Sequence, residues 1–387
     1  MRKETVLFAL LRAAVCGQPV SEDIQAACTA PMLESVYDLS NSHDLAHLAG
    51  QALTKLDLPE SQALSRFQLA TKQAVFRYMR LDLACEQAYD ALEKAQIPFV
   101  PLKGAILRDY YPEPWMRTSC DVDILVREMQ LDAAVNALES RQQFTEERRT
   151  DHDVSMYSPT GVHLELHFAT VVESDNVGKS SNVLSGIWDA ATPCKPGTYR
   201  YQLTAGMFYF YHIAHMAKHF AGGGCGIRPF LDLWVLNHRA DSDLTQYTQL
   251  LEQGGMLAFA RAAEKLAEVW FSNDTGDTMT AQVEQYILEG GVYGTEENDI
   301  ALQQIKQGGK FRYALSKIFP SYDIIKFHYP VLQKHKWLTP VFQVVRWFKL
   351  LFKGGVKRSV RKLRRNASTS REGMQSAEAL LEYLGIK

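Results

Sequence analysis

Two aspartates stand one residue apart in an otherwise apolar stretch, and they restrict how the chain can fold around them. Asp121 and Asp123 belong to the segment SCDVDILV, whose pattern predicts a β-strand. Because side chains alternate along a strand, both carboxylates lie on one face, while Val122 and Ile124 lie on the other. Burying carboxylates is costly unless something positive neutralises them. We therefore expect a strand whose acidic end contacts a cation.

Around this strand, the spacing of apolar residues switches several times between the period of a strand and the period of a helix. From Ile97 to about Thr170 the patterns predict a strand that ends at Gly104, a helical turn, the acidic strand and an amphipathic helix. Alternating residues on both sides of the turn Pro159-Thr160-Gly161 then predict a β-hairpin. These elements together predict a small mixed α/β unit.

Helical patterns flank this unit on both sides. Residues 63–96 contain no glycine or proline and repeat apolar positions every three or four residues, which predicts one long helix or two in close succession. Residues 174–186 are polar and turn-rich and predict a linker or loop. The expected fold class is α+β, a small mixed sheet with helices between N-terminal and C-terminal helical regions. We expect an N-terminal helical region at 1–95 and the mixed α/β unit at 96–172. A C-terminal helical domain at 200–310 and a basic, aromatic helical tail at 311–387 are expected to follow.

The composition of the 387-residue chain is that of an ordinary globular protein, with 46% hydrophobic and 22% charged residues. A formal net charge of −2 argues against a surface that coats nucleic acid. The six cysteines are scattered without a C-x-x-C pair, which indicates free thiols in a reducing cytoplasm. Glu4 and Arg12 interrupt the first apolar segment, which therefore reads as an amphipathic helix. No stretch predicts a transmembrane segment.

Charge is unevenly distributed near the C-terminus. Nine basic residues lie between Val341 and Arg365, and no acidic residue lies between Asp323 and Glu372. A solvated face is one interpretation of this basic tail. Interleaved aromatic residues such as Trp347 also suit peripheral contact with an anionic membrane surface or with an RNA backbone. We expect a cytoplasmic protein, with peripheral membrane contact as an open alternative.

The spacing of the acidic residues suits a divalent cation. Asp121 and Asp123 can share a hard cation such as Mg²⁺, and Glu165 in VHLELHF is placed to be a third ligand. Three such carboxylates can hold two metal ions about 3.5–4 Å apart, the arrangement that assists phosphoryl transfer. The alternative is that the aspartates cap a strand and face water, with Glu165 paired to Arg117.

Histidines form two further patterns. His163 and His167 alternate with Glu165 and share its strand face, and His212, His215 and His219 share one helix face. Imidazoles so placed suit a transition metal, which would indicate a zinc hydrolase. Hydrogen bonding in the core or between units is the alternative for the helical set.

Taken together, these motifs resemble a known family. PLKGAILRDYYPEPWMRTSCDVDILV followed by VHLELHF is similar to the uncharacterised nucleotidyltransferase family of the DNA polymerase β-like superfamily. The resemblance covers most of the chain from about residue 60 and includes HIAHMAKHF, GIRPFLDLWVL and the stretch Phe327–Trp347. It implies a polymerase β-like nucleotidyltransferase core within the α+β fold.

The resemblance assigns roles to individual residues. It implies that Asp121, Asp123 and Glu165 are the catalytic metal ligands for Mg²⁺, with two ions expected and Mn²⁺ as an alternative. The phosphate-binding turn begins at Gly104, where Lys103-Gly104 replaces the usual Gly-Ser.

Neighbouring residues complete the expected site. Arg117 and Ser119 are candidates for holding phosphate, although an ion pair and a turn are their alternatives. The candidates for the acceptor side of the cleft are His167, His215, His219, Arg228 and Asp232.

The function expected from this pattern is transfer of a nucleoside monophosphate from a nucleoside triphosphate to an unidentified acceptor hydroxyl or phosphate. Because the usual Ser is missing, an alternative is a catalytically silent regulatory module that binds a nucleotide or sugar phosphate on the same fold.

Overall fold

The structure is a computed structural model that describes residues 1–169, 179–239, 244–291, 300, 302–305, 308–322, 325–326, 329, 331–352 and 378–386. Residues 174–178 of the linker predicted at 174–186, and the basic residues from Lys353 to Arg371, lie outside the described residues. Among the described residues, no helix combines the length and apolar content needed to cross a membrane.

The N-terminal region is helical, as its patterns predict. A short π-helical segment, Arg12–Cys16, extends the first helix. The long glycine- and proline-free segment forms one continuous helix rather than two, and Ser61 caps its start by accepting a hydrogen bond from the N–H of Leu64. The helices are α1 Lys3–Leu11, α2 Glu22–Ala27, α3 Ala30–Ser42, α4 Ala46–Leu53 and α5 Gln62–Lys94.

A five-stranded mixed sheet follows α5 and confirms the expected α+β class. Its spatial order is β1-β2-β5-β4-β3, and only β2 and β5 pair in parallel. The strands are β1 Phe99–Pro101, β2 Asp121–Val126, β3 Thr145–Arg149, β4 Asp153–Tyr157 and β5 His163–His167. The short helix α6 Gly104–Leu107 precedes β2, and α7 Leu131–Gln142 follows it. The predicted hairpin is β4 and β5, whereas the edge strand β3 was not predicted.

The sheet separates two hydrophobic clusters. Val122 and Ile124 on one face of β2 pack with buried residues of α5 and α7. Leu125, on the opposite face, belongs to a larger cluster that joins the N-terminal helices to helices after residue 200. The acidic residues of β2 therefore lie on the side of this larger cluster, opposite α7 and the part of α5 that packs against Val122 and Ile124. The domain boundaries given above stay a prediction.

The C-terminal region is largely helical. Ser180–Leu184 forms the short helix α8, so the prediction of a linker was wrong for this part. A small two-stranded sheet, β6 Ala191–Pro193 with β7 Tyr201–Leu203, comes next. The remaining helices are α9 Ala205–Ala221, α10 Arg228–Arg239, α11 Leu244–Gln253, α12 Leu257–Phe271, α13 Thr278–Gly290, α14 Lys310–Ile318, α15 Val331–Lys334 and α16 Thr339–Phe352.

Two buried histidines connect the N-terminal helices to the rest of the structure. Nε2 of His47 lies 2.9 Å from the carbonyl oxygen of Met116, in the segment that leads into β2. Nδ1 of His43 accepts from the backbone N–H of Ile227, which precedes α10. Burial lowers the pKa of both histidines to about 4, although a backbone hydrogen bond opposes the shift in each.

We expect the free energy of unfolding to fall between about pH 7 and pH 5, with His47 contributing about 2 kcal/mol of that fall. The folded pKa of His47 lies below the unfolded value of 6.5, so the unfolded chain binds the proton first and stability is lost as pH falls through 6.5 towards 4. Denaturant unfolding of His47→Gln at both pH values should show a smaller fall than wild type. His335→Gln, at an exposed histidine, is the control, and an unchanged pH dependence in His47→Gln would contradict the assignment.

Candidate functional site

The parallel pairing of β2 with β5 assembles an acidic surface. Asp123 lies opposite Glu165, and Asp121 lies opposite His163. Residues at paired positions point to the same face, so Glu165 is on the side of the two aspartates. Leu164 and Leu166 occupy the other face and are buried. Apolar burial on one face therefore fixes the carboxylates on the other.

Two sets of side chains on this surface have the geometry of metal ligands. The possible ligand atoms of Asp121, His163 and Glu165 lie within 4.8 Å of one another, and the same holds for those of Asp123, Glu165 and His167. Glu165 belongs to both sets. The arrangement therefore offers two adjacent places for a divalent cation that share one carboxylate.

Two protein cations contact Asp123 and neutralise it. Lys103 Nζ and His167 Nε2 each lie 2.8 Å from Asp123 Oδ1, and the Asp123 side chain is only 3% exposed. His167 Nε2 also lies 3.4 Å from Glu165 Oε2. Lys103 has a φ of 47°, a backbone conformation that a non-glycine residue keeps only where its surroundings hold it. Lys103 and His167 thus supply the positive charge that the buried aspartate requires.

The electrostatics of this cluster favour charged forms for Asp123, Lys103 and His167. Burial alone would raise the pKa of Asp123, but Lys103 and the His167 hydrogen bond lower it well below its ordinary value. Burial likewise opposes the charge on Lys103, whose pKa is nevertheless raised by Asp123. For His167, hydrogen bonds to Asp123 and Glu165 outweigh burial and raise the pKa to about 9. These shifts indicate a compact network of opposite charges.

Asp121 is in a different electrostatic environment. Burial and then repulsion from Asp123 raise its pKa, with Lys103 only partly opposing them. The hydrogen bond from His167 lowers the pKa of Glu165 despite burial. Protein cations therefore neutralise Asp123 and Glu165 better than Asp121. A bound divalent cation would relieve the remaining repulsion around Asp121.

Gly104 approaches Ser119 too closely to carry a side chain without adjustment. A Cβ at Gly104 would lie 3.2 Å from both Cβ and Oγ of Ser119. The Ser119 hydroxyl donates to the carbonyl oxygen of Asp121 at 3.1 Å. A serine hydroxyl therefore stands beside the Lys103-Gly104 turn, although it comes from a different part of the chain.

A cleft of about 530 Å³ lies between the acidic surface and α9 and α10. Every site residue predicted from the sequence lines this cleft: Lys103, Gly104, Arg117, Ser119, Asp121, Asp123, Glu165, His167, His215, His219, Arg228 and Asp232. The structure thus brings all the candidates together. Their roles in binding and catalysis stay predictions.

Arg117 forms a buried ion pair across the cleft floor. Its Nε lies 2.7 Å from Asp232 Oδ1, and the two side chains are 11% and 1% exposed. The Tyr111 hydroxyl donates to the same oxygen at 2.7 Å. The ion-pair alternative for Arg117, with an aspartate or Glu165 as partner, is therefore realised with Asp232. This contact anchors α10 to the loop before β2.

Arg228 forms a second link at the start of α10. Its Nη1 lies 3.1 Å from Asp44 Oδ2 and donates to the carbonyl oxygen of Thr118 at 2.7 Å. Asp44 also accepts from the Thr118 hydroxyl. Arg228 therefore fixes the segment that leads into β2. The sequence did not indicate Asp44, Thr118 or Tyr111, because no local pattern connects residues so distant along the chain.

The helical histidines divide into two kinds. His212 is buried, and its Nε2 lies 3.0 Å from the carbonyl oxygen of Pro229, which is a structural contact. His215 and His219 bring their Nε2 atoms to 3.1 Å on the cleft side. Within the described parts of the chain, no metal-ligand set of three includes any of these helical histidines. The geometry therefore favours the strand face over the helix as a metal site.

We expect Arg117→Met to lower the free energy of unfolding by about 3 kcal/mol or more, because it leaves Asp232 buried without its cation. Arg149 pairs with Asp132 and Glu146 in a solvent-screened setting, so the matched Arg149→Met should cost less than about 1 kcal/mol. Adding Asp232→Asn to Arg117→Met should recover part of the loss. Equal stability of the two single variants in denaturant unfolding would contradict a buried ion pair.

Comparison with known proteins gives one family match. The family described as uncharacterised nucleotidyltransferase matches residues 31–272, more than half of the chain. The match includes every residue of the candidate site, whereas the similar stretch Phe327–Trp347 lies beyond it. No match was found to a curated protein or to a solved structure.

Proposed function

Since the chain belongs to the uncharacterised nucleotidyltransferase family, we propose that it transfers a nucleoside monophosphate from a nucleoside triphosphate to an acceptor hydroxyl or phosphate in a Mg²⁺-dependent reaction. One observation carries the proposal. Asp121, Asp123 and Glu165 converge on one sheet face, with ligand atoms in two overlapping sets. Carboxylates so arranged suit the cations that accompany phosphoryl transfer.

The donor set fits a hard divalent cation. Carboxylate oxygens suit Mg²⁺, while the adjoining His163 is also compatible with Mn²⁺. His167 would become a ligand only after losing the proton through which it pairs with Asp123. Asp121, Asp123 and Glu165 would hold two ions, which would neutralise the triphosphate and the charge that develops during transfer.

The side of the cleft beside α6 suits the donor phosphates. Lys103 Nζ is already beside the acidic surface, where it can pair with Asp123 or with a phosphate oxygen. The Ser119 hydroxyl lies next to Gly104 and would donate to a phosphate by turning away from the carbonyl oxygen of Asp121, to which it now donates. Ser119 therefore offers a hydroxyl that the Lys103-Gly104 turn itself lacks, which supports a nucleoside triphosphate as donor.

Glu165 is the residue we assign as base for the acceptor. Its pKa is lowered by the hydrogen bond from His167, so it is ionised at neutral pH and can accept the hydroxyl proton. His215, His219 and Arg228 line the cleft near α9 and α10, where they would position an anionic or polar acceptor. A cytoplasmic location stays a prediction.

A silent nucleotide- or sugar-phosphate-binding module is the second candidate. The observation that favours it is the network of Lys103 and His167 around Asp123, which neutralises that carboxylate without any metal ion. Tight nucleotide binding with no pyrophosphate release for any of the four common nucleoside triphosphates would favour this alternative.

We expect Asp121→Asn and Asp123→Asn each to abolish transfer, because each variant removes a charged ligand from the metal-binding face. Calorimetry should show that each variant binds a non-hydrolysable nucleoside triphosphate, in the presence of Mn²⁺, at least about tenfold more weakly than wild type. Release of pyrophosphate from ATP, GTP, CTP and UTP provides the activity measurement. Asp151→Asn is the control, because Asp151 is exposed and does not line the cleft. Full binding and activity in both site variants would refute the proposal.

Ser119→Ala should weaken binding of the same triphosphate by about threefold to tenfold, which corresponds to the loss of one hydrogen bond. The variant should leave binding of Mn²⁺ alone unchanged, because Ser119 is not a carboxylate ligand. Ser140→Ala on the exposed side of α7 is the matched control. An unchanged triphosphate affinity in Ser119→Ala would show that this hydroxyl does not contact the donor.

A further inference from the structure

Charge is strongly segregated in this chain. Residues 301–371 contain seventeen lysines and arginines and one acidic residue, Asp323. The remaining residues carry 25 basic and 43 acidic side chains. A near-neutral total therefore conceals an acidic body and a strongly basic C-terminal segment. Such a segment is attracted to surfaces of negative charge.

The helices of this segment also expose large apolar side chains. On α14, Phe311, Leu315 and Ile318 follow helical spacing on one face, and Phe311 is 78% exposed. On α16, Val341, Val344 and Phe348 do the same, and Phe348 is 56% exposed. Trp337, in the short turn before α16, is 76% exposed. Both helices are therefore amphipathic, and each exposes part of its apolar face.

Specific contacts join the two helices into one unit. The side chains of Arg346 and Trp347 on α16 donate to the carbonyl oxygen of Ile318 at the end of α14. The ring of Trp347 packs edge-on against Phe319, with centroids 5.1 Å apart. These contacts satisfy carbonyl groups at the end of α14. The exposed apolar residues therefore belong to a formed structure and not to a frayed end.

We propose that this C-terminal amphipathic surface, formed by Phe311, Leu315, Ile318, Trp337, Val341 and Phe348 with the surrounding lysines and arginines, docks on an anionic lipid bilayer. The apolar side chains enter the boundary between head groups and acyl chains, and the basic side chains contact the lipid phosphates. The helices lie on the membrane, because their apolar side chains occupy one face and basic side chains lie around it. The proposal does not depend on the reaction proposed above.

The exposed side chains favour lipid over RNA as the partner. Single-stranded RNA is bound through aromatic stacking and phosphate contacts. Leu315, Ile318, Val341 and Val344 are aliphatic and offer no stacking surface, yet they occupy the exposed helix faces. Burial of aliphatic surface in acyl chains is favourable, so a membrane explains the aliphatic and the basic residues together.

Flotation of the full-length protein with lipid vesicles tests the proposal. We expect binding to phosphatidylcholine vesicles that contain phosphatidylglycerol, at least about tenfold weaker binding to pure phosphatidylcholine, and weakening by salt. The double variant Phe311→Ser/Trp337→Ser should bind the anionic vesicles about tenfold or more weakly, because two large apolar groups no longer enter the bilayer. Its thermal unfolding midpoint should match wild type, since both side chains are exposed.

Met129→Ser is the matched control, because Met129 is 89% exposed but lies in the short turn between β2 and α7, outside this surface. It should bind anionic vesicles like wild type. Equal vesicle binding by wild type and the Phe311→Ser/Trp337→Ser variant would overturn the proposal. Binding of single-stranded poly(U) without binding of anionic vesicles would overturn it in favour of RNA.

Discussion

The parallel pairing of β2 with β5 is the constraint on which the rest of the site depends. This pairing sets Asp123 opposite Glu165, and a shift of one residue would turn Glu165 to the opposite face of the sheet. The register is held by burial, because Val122, Ile124, Leu164 and Leu166 fill the hydrophobic cluster below. Hydrophobic packing on one face thus determines where negative charge accumulates on the other.

Concentrated negative charge in turn determines what surrounds it. Asp123 is buried and receives Lys103 and His167, while Asp232 on the opposite wall receives Arg117. These charge pairs connect β2, β5, α10 and the turn before α6 around one cleft. The same contacts that offset the desolvation cost of the buried carboxylates also place cations where a polyphosphate would be bound. Stability and the proposed chemistry therefore share residues, and variants in this cluster need separate measurements of folding and binding.

Local patterns in the sequence predicted much of this structure but not its long-range pairings. Alternation placed Asp121 and Asp123 on one strand face, and the apolar spacing predicted α5, α7 and the hairpin of β4 and β5. The edge strand β3 was missed because Thr145–Arg149 is exposed throughout and shows no apolar alternation. Its register irregularity between Glu146 and Arg148 is likewise invisible in the sequence. The partners of Arg117 and Arg228 were missed because they are contributed by segments more than 70 residues away along the chain.

The central claim is that carboxylates from β2 and β5 jointly bind divalent cations that hold a polyphosphate. Crystals grown with Mn²⁺ and a non-hydrolysable nucleoside triphosphate would test it most directly. Anomalous scattering identifies manganese by element and so distinguishes the ion from a water molecule. The account predicts manganese peaks bonded to Asp121, Asp123 and Glu165, with the triphosphate extending towards Lys103. Manganese absent from these carboxylates while the nucleotide is bound in the cleft would contradict the account.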